Sequence, residues 1–155
     1  MSYFIKEETV TDYDDSFIRV ITVVDGTTEF EIAYDMTQNC CEDFDFGFIV
    51  RPKGVKLEDC IDDIDVNVDY VNKSNKLLET ETVEEWSFDR NTLYYASGED
   101  EFEDSKHSNT SLDIYTKNYV IYIVCSNYHN GYYPHGGIFS LSVDEKIVHS
   151  EYFQI

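Results

Sequence analysis

The chain has 155 residues, of which 32 are acidic and 11 are basic, so its formal net charge is −21, and 42% of its residues are hydrophobic. This length and hydrophobic content predict a single domain, residues 1–155, that buries a core of its own. The negative charge argues against direct nucleic-acid binding, because such binding depends on neutralising phosphates with Lys and Arg. It favours a basic protein surface as the partner.

The compartment is predicted from what the sequence lacks. No apolar run approaches the ~20 residues of a membrane-spanning helix, and the first residues have neither the basic nor the apolar region of a signal peptide. The spacing of the four cysteines suits a reducing compartment rather than a disulfide framework. We therefore expect an intracellular protein that is neither secreted nor inserted in a membrane. The composition leaves the oligomeric state open.

The first predicted strands form a hairpin. Residues 17–24 are apolar on both faces, which indicates a central strand. Residues 28–34 alternate between apolar and acidic side chains, which indicates a half-buried strand. Asp25-Gly26 between them is typical of a tight turn, because Gly readily adopts positive φ. A short strand is predicted at residues 46–50.

The middle of the chain has weaker patterns. Residues 57–63 have apolar side chains at helical spacing and predict one or two helical turns. Residues 64–70 alternate apolar and polar side chains and predict a half-buried strand. Residues 73–90 are polar, with Trp86 and Phe88 as the only large anchors, and no element is assigned to them.

The last third of the chain predicts two further hairpins. Residues 98–110 hold an acidic run typical of a mobile loop. A hairpin of residues 111–116 and 119–125 follows, and residues 139–143 and 147–153 form the closing hairpin. The sum is a β-rich fold, mainly β or α+β, with a mixed or antiparallel sheet of about seven to nine strands and at most one short helix.

Two stretches carry short motifs. Cys40-Cys41-Glu42 follows the first hairpin, and Ser126-Asn127 precedes Asn130-Gly131-Tyr132-Tyr133. With these motifs, residues 17–143 resemble a domain family of bacteriophage and large DNA virus proteins whose activity is uncharacterised, and which has Cys-Cys-Glu and Asn-Gly-Tyr-Tyr motifs. The chain departs from that pattern by inserting Tyr128 and His129 and by having Pro134 in place of a Ser. The resemblance implies a viral or phage origin and carries over no activity.

The segment Asn130-Gly131-Tyr132-Tyr133-Pro134 has the most specific local pattern. Asn-Gly predicts a tight turn, and tyrosine offers a large contact area with a hydroxyl that forms hydrogen bonds. We therefore expect Asn130, Gly131, Tyr132, Tyr133 and Pro134, together with Glu42, to form a partner-binding surface. The alternative is that both tyrosines fold back onto the sheet.

A second hypothesis concerns metal binding. Thiolate and imidazole are the ligands that zinc prefers, so cysteines and histidines from two loops could bind one ion if the loops met in space. The candidate ligands are Cys40, Cys41, Cys125, His129 and His135. Their spacing fits no standard zinc finger, and the alternative is that Cys125 ends a buried strand while the histidines face solvent. We expect no cofactor other than this zinc.

The motifs of common enzyme classes are missing, because the chain has no Gly-Lys-Ser/Thr phosphate loop, no Gly-x-Ser-x-Gly and no His-Glu-x-x-His. The leading hypothesis is a non-enzymatic virus- or phage-related accessory or virion protein that acts by protein–protein interaction in the host cytoplasm or nucleus. One alternative is a metal-binding protein or metal-dependent hydrolase. Another is a nucleic-acid mimic that occupies a DNA-binding protein with rows of carboxylates, although the acids are dispersed along the chain.

Overall fold

The computed structural model describes residues 4–11, 17–35, 43–59, 68–95, 106–129 and 136–154. These residues form β-strands, one α-helix and a turn of 3-10 helix at Leu57–Asp59. The helix, α1, is Val68–Leu77. The strands are β1 (Phe4–Thr11), β2 (Phe17–Asp25), β3 (Thr28–Asp35), β4 (Asp43–Pro52), β5 (Val83–Tyr95), β6 (Lys106–Thr116), β7 (Tyr119–His129), β8 (Gly136–Val143) and β9 (Lys146–Gln154).

The strands form two antiparallel sheets. The first has five strands in the order β1-β2-β3-β8-β9, and the second has four in the order β4-β7-β6-β5. Side chains from both sheets belong to one buried hydrophobic cluster, so the sheets pack face to face as a β-sandwich. The prediction of a β-rich fold is confirmed, and the antiparallel arrangement is the one observed.

The three predicted hairpins are present. The β2–β3 turn contains Gly26 at φ 61°, and the β6–β7 turn is Lys117-Asn118. In the β8–β9 turn, Asp144 and Glu145 have φ of 52° and 66°. Positive φ at both central residues is typical of a type I′ turn, whose twist matches that of the strands it joins.

Aromatic side chains from both sheets meet in the core. The ring of Trp86 on β5 contacts those of Phe30 and Phe139 in the other sheet, with centroid distances of 6.3 and 5.3 Å. Phe88 stacks on Phe139 at 4.7 Å. Each such pair contributes about 0.5–1.5 kcal/mol beyond the burial of its area. The predicted anchors Trp86 and Phe88 therefore hold the second sheet against the first.

Helix α1 covers one side of the sandwich. It contacts β1, and the backbone N–H of Val50 on β4 donates a hydrogen bond to the Tyr70 hydroxyl at 3.2 Å. Since β1 and β4 are edge strands of the two sheets, the helix bridges these two edges. Tyr70 packs on Phe48 at 5.0 Å. Ser74 and Leu78, one and two turns further on, are buried, as the helical period requires.

This helix corrects the strand predicted at residues 64–70. Residues 68–70 are helical, and residues 60–67 lie outside the described residues. The alternation was misleading, because Tyr70 and its neighbour Val71 both pack on the core from one helix face. Of the helical turns predicted at residues 57–63, the structure describes the 3-10 turn at Leu57–Asp59.

Two strands and part of a third occupy residues for which the sequence analysis predicted no strand. β5 occupies residues 83–95, where no element was assigned, and β1 was not predicted. The loop prediction for residues 98–110 is wrong at residues 106–110, which belong to β6, while residues 98–105 lie beyond the described ranges.

In the part of the chain that the structure describes, no helix combines the length and hydropathy needed to cross a bilayer.

Side-chain carboxylates tie the strands together where the three tight turns lie, an end that we call the turn end. Asp25 Oδ2 accepts a hydrogen bond from the backbone N–H of Val83 at 2.9 Å and so joins the two sheets. Glu81 is buried and accepts hydrogen bonds from the Thr116 hydroxyl at 2.8 Å and from the backbone and side-chain N–H groups of Asn118 at 2.9 and 3.0 Å. These contacts fix the β6–β7 turn.

Candidate interaction surface

Two segments connect one sheet to the other: residues 36–42 join β3 to β4, and residues 130–135 join β7 to β8. Their flanking strands are paired, because β3 lies beside β8 and β4 lies beside β7. Tyr34 is opposite Gly137, and Asp43 is opposite Tyr128. Paired strands are about 4.8 Å apart. Each connection therefore begins beside the strand end at which the other connection ends.

Two more connections leave from the same end of the sandwich. Residues 96–105 join β5 to β6, where Lys106 is paired with both Tyr95 and His129. Residues 12–16 join β1 to β2, whose first residues pair with the last residues of β3. The two sheets end together here, because the rings of Tyr34 and Phe46 lie 6.0 Å apart across the core.

Taken together, these four connections are acidic in sequence, and the acids lie in three of them, since residues 130–135 hold none. Residues 12–16, 36–42, 96–105 and 130–135 hold nine Asp or Glu and no Lys or Arg. We call the end defined by their flanking strand residues the acidic end. At the turn end, exposed Lys117 belongs to the β6–β7 turn and exposed Asp144 and Glu145 belong to the β8–β9 turn, so charges of both signs occur there. Since like charges sum into a local potential that attracts cations, the two ends differ in the partner they favour.

The core beneath the acidic end contains buried polar side chains. Thr110, Cys125 and Asn127 are 0% exposed, and Cys125 is paired with Thr110 of β6 and Phe46 of β4. Within the described ranges, the Thr110 hydroxyl has no hydrogen-bond partner. Burial raises the pKa of the Cys125 thiol well above its ordinary value. Cys125 is therefore a neutral thiol packed in the core, without the thiolate character of a nucleophile.

The predicted partner-binding residues are Asn130, Gly131, Tyr132, Tyr133, Pro134 and Glu42, and all of them lie outside the described residues. The structure places the strand residues on either side of them, namely Asp43 after Glu42, His129 before Asn130, and Gly136 beyond Pro134. All three flanking residues are at the acidic end. The prediction of a shared contact surface stays a prediction.

The predicted metal ligands have separate outcomes. Cys40, Cys41 and His135 lie outside the described residues, and for His129 only the backbone, at the end of β7, is described. Cys125 and His129 are four residues apart on one strand, so their Cα atoms are roughly 13 Å apart, whereas zinc bonds to sulfur and nitrogen are about 2.1–2.3 Å long. This separation and the burial of the thiol count against the two residues binding one ion.

The described residues also form no metal site elsewhere. In the described part of the chain, no group of three or more His, Cys, Asp or Glu is placed to hold a metal ion. The zinc hypothesis thus depends on residues beyond those ranges and stays a prediction.

One polar cluster was not predicted. On the outer face of the four-stranded sheet, Asp113 of β6 is paired with Tyr122 of β7. Burial raises the pKa of Asp113, while the charge of Arg51 lowers it. The pKa of Tyr122 is also raised, by burial and then by the Asp113 charge. No sequence signal marked this cluster, because Asp113 has the ordinary position of a polar residue on an alternating strand.

A second unpredicted cluster joins the edge strands β5 and β9. His149 Nε2 lies 2.9 Å from Glu151 Oε2, and the imidazole ring lies 5.4 Å from Trp86 and 5.9 Å from Phe139. The two-residue spacing of His149 and Glu151 puts both on one face of β9. Trp86 is distant in sequence, so its contact with His149 could not be predicted without the order of the strands in the sheets.

Comparison with known proteins gives no relative: no protein-family model, curated protein or solved structure matches the chain.

Proposed function

We propose that the protein is a non-enzymatic interaction module that binds a basic protein surface through its acidic end. The observation that supports this best is the strand pairing, because β3 with β8 and β4 with β7 make the ends of connections 36–42 and 130–135 neighbours. Glu42 and the segment Asn130–Pro134 belong to these two connections. From the motif resemblance we further propose an intracellular, virus- or phage-related accessory or virion protein.

Charge provides the long-range part of the proposed recognition. The four connections at the acidic end carry nine carboxylates and no Lys or Arg, and Lys106 at the start of β6 adds one positive charge beside them. A strongly negative patch of this kind raises the association rate of an oppositely charged partner by about 10- to 1,000-fold, and the gain falls with ionic strength. Electrostatic attraction of this type selects the partner and orients it more than it adds final affinity.

Tyrosine provides the short-range part. Tyr132 and Tyr133 lie in the connection next to the one that carries Glu42. Tyrosine is enriched in protein interfaces because a large, rigid ring is buried at little entropic cost and its hydroxyl still forms a hydrogen bond. Acidic and aromatic side chains together suit a partner that presents Lys or Arg, since these cations also bind over aromatic rings.

The role of charge is tested with two triple variants. One removes three negative charges from the acidic end, and the control removes three negative charges from other positions. The triple variant Glu99→Gln, Asp100→Asn, Glu101→Gln removes three charges from one connection of the acidic end. The control, Glu79→Gln, Glu84→Gln, Glu145→Gln, removes three charges from exposed positions away from it. We expect affinity for a fluorescent poly-arginine peptide, measured by anisotropy, to fall about tenfold in the first and under about threefold in the control. Equal losses would contradict an acidic end that directs binding.

The tyrosine step is tested with the Tyr132→Ala, Tyr133→Ala double variant in a pull-down of partners from host extract. The control is Val55→Ala, Leu77→Ala, which removes exposed apolar side chains elsewhere. We expect lost partner recovery in the tyrosine variant alone, with unchanged circular dichroism in both. Undiminished recovery by a folded tyrosine variant would remove this connection from the proposed surface.

The alternatives are distinguished by separate measurements. Elemental analysis of protein purified without chelators would show stoichiometric zinc if the metal hypothesis held. Mass spectrometry of purified virions tests the proposed origin, and consistent absence of the chain would leave a non-virion accessory protein.

A further inference from the structure

The two long sides of the sandwich differ in how their edge strands are covered. On one side, α1 bridges β1 and β4 and accepts a backbone hydrogen bond from Val50. On the other side, within the described residues, β9 is paired only with β8. Edge strands that remain open are templates for pairing with another chain, and proteins usually protect them with charges, prolines or bulges.

Strand β9 has one such feature, a β-bulge at Val148, which has no partner on β8 between the pairs Leu141–His149 and Ser142–Ile147. From His149 to Gln154 the strand is regularly paired and has one formal charge, at Glu151. Ile147, Val148 and Tyr152 are 67%, 60% and 60% exposed, and Ile138 beside Tyr152 on β8 is 45% exposed. These residues extend along one edge and one face, and such contiguous apolar surface marks an interaction site more often than scattered residues do. The strand is also neutral by formal charge, since Lys146 and Glu151 are its charged residues with His149 neutral.

The sequence of β9 is self-complementary about Ser150. When two antiparallel copies of the strand are aligned on a twofold axis at Ser150, Val148, the residue at the bulge, is opposite Tyr152, and His149 is opposite Glu151. The first pair joins two exposed apolar side chains, and the second joins an imidazole to a carboxylate, the same contact that these residues make within one chain at 2.9 Å. Cross-strand pairs of both types stabilise antiparallel sheets.

We propose that β9 is a self-association interface at which two copies of the chain pair edge to edge, extending the five-stranded sheet across a twofold axis. The twofold axis makes the interface isologous, as in most homodimers. A neutral strand is the suitable place for it in a chain whose net charge is −21, because repulsion between copies is least there. At ~0.15 M salt the remaining repulsion is screened beyond about 8 Å.

The register is tested by symmetric cross-linking. Ser150→Cys would place two thiols on the axis with Cα atoms about 5 Å apart, within the 4.4–6.8 Å range of disulfides. Ser140 pairs with Ser150 on the adjacent strand, so in Ser140→Cys the two copies of residue 140 would be about 14 Å apart. Under mild oxidation we expect reducible dimers from Ser150→Cys, and only the wild-type background from Ser140→Cys. Equal yields from both variants would overturn the register.

The interface is tested independently in solution. We expect sedimentation equilibrium at ~0.15 M salt to give twice the chain mass of 18.1 kDa. Val148→Lys should return the protein to one chain mass, because it places two ammonium groups in the apolar contact. Val55→Lys makes the same change at an exposed valine outside β9 and should leave the dimer intact. A wild-type monomer at all concentrations, or a dimer unaffected by Val148→Lys, would overturn the proposal.

Discussion

Replacing Glu81 by Ala should destabilise the fold through the β6–β7 turn. The carboxylate is 7% exposed and accepts three hydrogen bonds, one from the Thr116 hydroxyl and two from Asn118. Hydrogen bonds to a charged group are worth about 1.5–3 kcal/mol each when a partner is left buried and unsatisfied. The loss in free energy of unfolding therefore depends on which of the three donors can form a hydrogen bond with water in the variant.

The three hydrogen bonds do not contribute equally. Asn118 is exposed, so its two donors regain water and their loss costs little. The Thr116 hydroxyl is buried, but it also lies 3.2 Å from the carbonyl of Tyr119 and can donate there instead. Because no donor is left buried without a partner, the expected total is about 1–2 kcal/mol, which corresponds to a Tm lower by about 2–8 °C for a chain of this size.

The measurement is urea denaturation followed by the fluorescence of Trp86, the single tryptophan of the chain. Glu79→Ala, which removes an exposed carboxylate two residues away, is the control and should change the free energy of unfolding by less than about 0.5 kcal/mol. If Glu81→Ala were as stable as Glu79→Ala, the three hydrogen bonds would not hold the turn, and the reasoning would be refuted.

The same variant has a defined pH dependence. Burial alone would raise the pKa of Glu81, but the hydrogen bonds from Thr116 and Asn118 outweigh it and lower the pKa below its ordinary 4.5. A lowered pKa in the folded state means that the stabilisation is full above pH 4.5 and is lost as the pH falls through the folded-state value. The stability difference between wild type and Glu81→Ala should therefore shrink below pH 4.5. A difference that grows in acid would contradict this assignment.

Other substitutions test the packing at the acidic end. Gly137→Ala would put a methyl group 2.1 Å from the buried ring of Phe153, whereas at Gly136 the nearest atom is the Tyr152 hydroxyl at 2.5 Å, on an exposed side chain that can move. In urea denaturation we expect the free energy of unfolding to fall by about 2–3 kcal/mol for Gly137→Ala and by under 1 kcal/mol for Gly136→Ala. Equal losses would contradict the argument that Tyr152 can move aside and Phe153 cannot. Because the Cys125 thiol is buried and neutral, mass spectrometry should find it alkylated by iodoacetamide in urea but not in the native protein, and native alkylation would show that the thiol is accessible.

Local patterns were enough to predict the hairpins. The β2–β3 turn needs a residue that adopts positive φ, and Asp25-Gly26 supplies it between two strands whose alternation is visible over a few residues. The β6–β7 hairpin is equally local, because its turn and both apolar strands are contiguous in sequence. The sheet order was not accessible in this way, since β3 beside β8 joins residues more than a hundred positions apart.

The errors occur where tertiary contacts decide the structure. β5 is an edge strand with exposed Glu85 and Asp89, so its polar composition concealed a strand that Val83, Trp86 and Phe88 attach to the core. Helix α1 is also polar, and its buried face depends on contacts such as Tyr70 with Phe48. In both cases the apolar residues are too few to define a period without the surface they pack against.

The candidate surface was predicted in part. Sequence motifs pointed to Glu42 and to residues 130–134 as contacts for a partner. Sequence alone could not tell that their flanking strands are neighbours, which follows from the pairing of β3 with β8 and β4 with β7. It also gave no means of placing residues 96–105 at the same end, since that follows from Lys106 lying opposite His129.

The most direct test of this assignment is an NMR titration of the isotope-labelled protein with the poly-arginine peptide. Backbone amide shifts should concentrate at the strand residues that flank the acidic connections, such as Asp35, Asp43, His129 and Gly136, while Gly26 and Asn118 at the turn end remain unchanged. Shifts centred on the turn end, or spread evenly over both ends, would contradict recognition through the acidic end.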